Sequence, residues 1–98
     1  MPKERIVIDK KEIVVDYMSG KNYAFENLAG EDISSVTIEP CMVGFFKNKP
    51  DERIVITKCV PSEPIIYYRH KIKKDYDSYV EGLKKFCEEN NVKFFRKT

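Results

Sequence analysis

The stretch Asp75-Tyr76-Asp77-Ser78-Tyr79-Val80-Glu81-Gly82-Leu83-Lys84-Lys85-Phe86-Cys87-Glu88-Glu89-Asn90 decides how this chain folds. Its apolar residues Tyr76, Tyr79, Val80, Leu83, Phe86 and Cys87 recur at spacings of three, one, three, three and one, which places them on one stripe of an α-helix. Asp75 suits the N-cap, and Asp77 puts negative charge in the first turn, where it complements the dipole. Glu81 and Lys85 stand four apart in the favourable order on the polar side. Asn90-Asn91 is a stop signal, because Asn tolerates the left-handed conformation. A lone helix of this length is marginal in water, so the stripe requires a sheet to pack on. Gly82 lies beside the stripe; either the helix backbone comes close to a strand there, or the glycine is merely tolerated at about 1 kcal/mol relative to Ala.

The sheet is expected from the residues before the helix. Arg5–Ile8 and Glu12–Tyr17 are β-branched runs separated by the polar turn Asp9-Lys10-Lys11. Gly20 marks the next turn, with freedom for positive φ, and Asn22–Glu26 follows as a third strand. Asn27–Asp32 is read as a loop and Ile33–Glu39 as a fourth strand that Pro40 ends or leaves at an edge. Cys41–Phe46 is a fifth strand, and residues 47–52 form a charged turn around Pro50. Arg53–Val60 is the clearest strand, Pro61-Ser62-Glu63-Pro64 breaks it, and Ile65–Arg69 makes the seventh. No helical period separates these runs, so the connections are expected to be antiparallel. Residues 92–98 either cover an open end or add a short strand.

Seven short strands followed by a single helix resemble the pleckstrin-homology (PH) superfold, and more closely the small bacterial PH-like domains. Glu31-Asp32-Ile33-Ser34-Ser35-Val36 is similar to the acidic residue and Ile-x-x-Val segment of those domains. The resemblance covers nearly the whole chain. It implies one mainly β (α+β) domain over residues 1–98: a seven-stranded antiparallel, partly closed barrel capped by the helix. It departs from eukaryotic PH domains in having no Trp, so Phe86 or Tyr79 would fill that place. The first loop holds only Lys10 and Lys11, which does not support family-type inositol phosphate binding. A fold shared by lipid readers, peptide readers and scaffolds does not choose among them.

Composition narrows the function. The chain has 98 residues, 42% hydrophobic and 35% charged, enough for one core supplied largely by six Tyr and six Phe. The net charge of +2 does not by itself point to nucleic acid. Lys and Arg outnumber Asp and Glu only after residue 50. Cys41, Cys59 and Cys87 are widely spaced and His70 is the sole imidazole, so neither a zinc site nor a secreted disulfide framework is expected. Three reduced, mostly buried thiols in a cytoplasmic protein are the simpler reading. With no signal peptide and no membrane-spanning run, a cytoplasmic location is expected. No phosphate loop, serine elbow or paired acidic motif is present, and Asp51-Glu52 and Glu88-Glu89 are read as solvated charges. His70 is read as an ordinary loop residue. No catalytic residue, cofactor or metal is expected.

Two segments stand out as binding candidates. The basic run Arg69, Lys71, Lys73 and Lys74 precedes the helix N-terminus and suits an anion or an anionic lipid headgroup, unless it is a solvated loop. Met42, Val43, Phe45 and Phe46 suit pairing with a peptide or a second copy if they lie at a sheet edge. The function expected is a non-enzymatic interaction domain for a protein or peptide, or for self-association. Weak membrane recruitment through Arg69 to Lys74 is the alternative. Nucleic acid is not expected.

Overall fold

The structure, a computed structural model, describes residues 4–97. Seven strands form two sheets: β1 (Arg5–Ile8), β2 (Glu12–Ser19) and β3 (Asn22–Ala29) in one, and β4 (Ile33–Val43), β5 (Lys49–Lys58), β6 (Ile65–Tyr68) and β7 (Lys93–Arg96) in the other. The first sheet is an antiparallel meander in the order β1-β2-β3, and the second has the order β6-β5-β4-β7. A helical turn α1 (Arg69–Ile72) and the long helix α2 (Tyr76–Asn90) separate β6 from β7. The chain is therefore mainly β with one long C-terminal helix.

The finer expectation of a single antiparallel barrel is corrected. The sheets do not close into a barrel, and β7 pairs with β4 in parallel, as a strand returning from a crossover helix does. The count of seven agrees, but two expected strands fuse. Ile33 to Val43 is one strand that runs through Pro40. The reason is directional. Lys97 N–H donates to Ile38 O, so the backbone groups of Ile38 and, two residues on, of Pro40 point toward β7. The pairing with β7 stops at Ile38, so the missing N–H of Pro40 costs no ladder bond. Residues 44–48, not 47–52, form the turn, and β5 begins at Lys49. Likewise β3 continues through Asn27 to Ala29, where a loop was expected.

The core forms one cluster. Ile6, Ile13, Val15 and Leu28 from the first sheet meet Val36, Ile38, Ile54, Ile56 and Tyr67 from the second. Helix α2 lies against β1 on one side and β4 and β7 on the other. Tyr76, Val80, Leu83, Phe86 and Cys87 are buried and Tyr79 is half-buried, as the stripe predicts. Full burial of such side chains is worth about 1.5–3 kcal/mol each before entropy is subtracted. The helix stops where Asn91 takes φ 57°, ψ 35°, and Val92 N–H closes back on Cys87 O at 3.0 Å. A Cβ on Gly82 would come within 2.6 Å of Ile8 Cδ1, the end of a side chain on β1, so the helix backbone here packs against that side chain. Gly20 adopts φ 64° in the β2–β3 turn.

Polar side chains tie the two sheets together. The Tyr67 hydroxyl donates to Asp16 O at 2.8 Å and lies 3.2 Å from Arg5 O, fastening β6 to the β1–β2 pair. Lys58 on β5 donates to Glu26 on β3 at 3.1 Å, and the Tyr17 hydroxyl donates to the same carboxylate at 2.8 Å. Burial and that bond push the Tyr17 hydroxyl up to about 12. Asn90 donates to Lys10 O at 2.8 Å, pinning the end of α2 to the first hairpin.

Candidate binding sites

The basic run folds differently from the loop the sequence suggests. β6 ends at Tyr68 opposite Arg53, and the chain coils at once into α1 over the start of β5. There it covers Asp51, which is 7% exposed. His70 N–H donates to Asp51 Oδ2 at 3.3 Å, the His70 ring Nδ1 contacts the same oxygen, and Arg69 Nε lies 3.4 Å from Oδ1. Burial alone would raise the Asp51 carboxyl; the bonds from the His70 ring and from the backbone N–H groups of Glu52 and His70 outweigh it and hold it below its ordinary value. Asp51 is thus no solvated surface charge and His70 no ordinary loop residue. Glu52 is also engaged, accepting from the Tyr76 hydroxyl at 2.9 Å and lying 3.5 Å from Arg96.

The four basic candidates part company. Arg69 is committed to Asp51. Lys71 reaches over the Tyr68 ring, with Nζ 5.7 Å from the centroid. Lys73 and Lys74 are exposed in a 3-10 turn that enters α2 directly. Lys73 takes φ 46°, ψ −112°, a kink between α1 and that turn. Tyr76 N–H donates to Lys73 O, so the first donor of α2 is spent within the chain.

Met42 and Val43 end β4, where β5 is the neighbour and β7 has already stopped. Phe45 and Phe46 are not strand residues; they form the turn between β4 and β5. Gly44 at φ 102° and Lys47 at φ 51° shape it, and Lys47 N–H donates to Gly44 O at 3.0 Å. Phe45 is 93% exposed and Phe46 79%, their rings edge to face with centroids 4.8 Å apart. Met42 is exposed beside them. Met42 and Val43 thus stand in the strand with β5 alone as neighbour, while Phe45 and Phe46 form an apolar hairpin tip.

Two concave sites escape sequence reasoning. One is a groove of about 450 Å³ between β1 and α2, with Ile6, Ile8, Tyr79, Gly82 and Phe86 as floor and Ser78 on its wall. β1 is an edge strand. Asp9 N–H donates to Glu12 O, so Arg5, Val7 and Asp9 turn their backbone groups toward β2 while those of Ile6 and Ile8 point away from it, to the open edge. The second, about 570 Å³, opens between the end of β2 and β6, beside Tyr17, Lys58, Tyr68 and Lys71. Lys58 is already held by Glu26 there. Both sites join segments far apart in sequence, so no local signal marks them; only Gly82 hinted at the first.

Cys41 faces Asp51 across the β4–β5 ladder. Burial and the Asp51 charge raise its thiol, the reverse of an activated nucleophile. Cys87 is buried, Cys41 half-buried and Cys59 exposed, which corrects the expectation of mostly buried thiols. No described helix is long and apolar enough to cross a membrane. No family model, no curated protein and no solved structure matches the chain.

Proposed function

We propose that the protein is a non-enzymatic binding module that takes an extended peptide segment of a partner protein along β1. The observation that carries this reading is the open edge of β1, where the backbone groups of Ile6 and Ile8 point away from β2, beside a groove between β1 and α2 lined by apolar side chains. An added strand would satisfy those groups with main-chain hydrogen bonds, while alternate side chains drop against Ile8, Tyr79 and Phe86. Asp9 and Glu89 balance Lys10 and Lys85 around the rim, so the groove favours a segment of little net charge. Kinship with bacterial PH-like domains belongs to the same proposal. Two sheets packed with a C-terminal helix suit it, whereas β7 after the helix departs from the strand-then-helix order on which the resemblance rests.

The test starts from a phage-displayed library of random peptides. Each selected peptide is titrated into isotope-labelled protein, with amide shifts expected at Ile6, Ile8 and Gly82 to Phe86. Ser78→Trp places bulk on the exposed wall of the groove without touching the core and should abolish binding. Shifts that map elsewhere, or binding unchanged by Ser78→Trp, would remove the proposal.

A further inference from the structure

The segments that stood as separate candidates in the sequence lie at one end of the molecule. β5 runs away from the Phe45–Phe46 turn, starting at Lys49, and Asp51 is only its third residue. α1 is fastened to Asp51 by both His70 and Arg69, so the basic run sits at the same end of the sheet as the hairpin tip. Lys47 and Lys49 flank the two exposed rings in the chain, and Lys73 and Lys74 lie in the turn that follows α1, all exposed, whereas Lys71 reaches over Tyr68 instead. The carboxylates nearest the tip are turned inward: Asp51 is buried under α1, and Glu52 is bound to Tyr76 and Arg96. The result is a protruding aromatic pair at an end of the molecule that also carries exposed lysines, with Asp51 and Glu52 engaged inward.

We propose that this end docks on an anionic lipid surface, with Phe45 and Phe46 entering the interfacial layer and Lys47, Lys49, Lys73 and Lys74 meeting the headgroups. Two exposed aromatic rings at the tip of a long hairpin gain by leaving water, and aromatic rings favour the headgroup level of a bilayer. The hairpin is stiff enough to insert them, because Ile38 and Ile54 at its base are core residues paired across the ladder. Charge complementarity selects the surface: lysines near an anionic leaflet each strengthen binding by about fivefold, an effect that salt screens. This docking is independent of the β1–α2 groove.

The chain has no Trp, so Phe45→Trp supplies a single indole reporter. The probes are vesicles of phosphatidylcholine alone and of phosphatidylcholine mixed with phosphatidylglycerol. Blue-shifted emission and co-sedimentation are expected with the mixed vesicles only, weakening as salt rises. Phe45→Ala with Phe46→Ala should weaken binding of the otherwise native chain at least about tenfold. Lys73→Ala and Lys74→Ala together should do so by roughly twenty-five-fold. All these side chains are exposed, so circular dichroism and the melting temperature check that the variants stay folded. Equal binding to neutral vesicles, binding that survives loss of both rings, or no binding at all overturns the proposal. So does a dimer that forms through Phe45 and Phe46 without vesicles while vesicle binding is absent.

Discussion

Asp51→Asn tests the joint that fixes the basic run to the sheet. The carboxylate accepts from His70 N–H, contacts the His70 ring and faces Arg69, while its own side chain is 5% exposed. Asn keeps the shape but removes the charge and turns a donor toward donors. A hydrogen bond to a charged group is worth about 1.5–3 kcal/mol against about 0.5–1.5 for a neutral one. Arg69 is half exposed, so its share is at most about 1 kcal/mol after solvent screening. A loss of about 2–3 kcal/mol follows. In a domain this size each kcal/mol moves Tm by about 4–8 °C, so the melting curve should fall by roughly 10–20 °C. The pH dependence supplies the sharper check. The folded-state carboxyl titrates below its ordinary value of about 3.9, so its contribution is complete above that pH and is lost as pH falls through the folded-state value. Urea unfolding of the native and Asn chains should therefore differ at neutral pH and converge in acid. A difference that stays constant down to about pH 2, or a loss under about 0.5 kcal/mol at neutral pH, would refute the role assigned to Asp51.

Leu83→Asp puts a charge at a position with 0% exposure on the helix stripe, and loss of the cooperative unfolding transition is expected by circular dichroism. Tyr67→Phe removes the hydroxyl that bridges the two sheets at Asp16 O and Arg5 O; a cost of about 1–2 kcal/mol should show in urea titration, with the core otherwise intact. With a chromogenic disulfide reagent, Cys59 should react first and half-buried Cys41 more slowly. Cys87, buried and with its thiol pushed up to about 11, should react only on unfolding.

The elements legible in the sequence are those specified by local chemistry. The helix stripe, the Asp9-Lys10-Lys11 hairpin, Gly20 and Asn91 are each read from a few neighbouring residues, and each sits where that chemistry puts it. What escaped depends on partners distant in sequence. Pro40 is a stop signal in isolation, and it is harmless here because β7, more than fifty residues later, ends short of it. Asp51 lies in a polar, proline-containing stretch that resembles a surface turn, and it is buried only because α1 folds over it from the far side of β6. Parallel pairing of β7 cannot be read from Lys93–Arg96 alone, since four residues carry no sign of direction.

The same distinction governs the binding surfaces. Sequence order sets Phe45 and Phe46 more than twenty residues from Arg69, so an apolar strand and a basic loop stand as rivals, one suited to proteins and the other to lipids. The antiparallel β5–β6 pair brings them to one end, because a strand leaving the hairpin tip and the next strand returning must finish near where the first began. Asp51 then acts as the latch that keeps α1 there instead of letting it swing free. The excess of positive charge after residue 50 acquires a location by this route. Arg69 and Arg96 are absorbed by Asp51 and Glu52, and Lys71, Lys73 and Lys74 remain on the surface. A variant that releases the latch should therefore weaken vesicle binding without altering either the rings or the lysines. Asp51→Asn, examined at a temperature where it stays folded, connects the stability of this joint to the docking surface it positions.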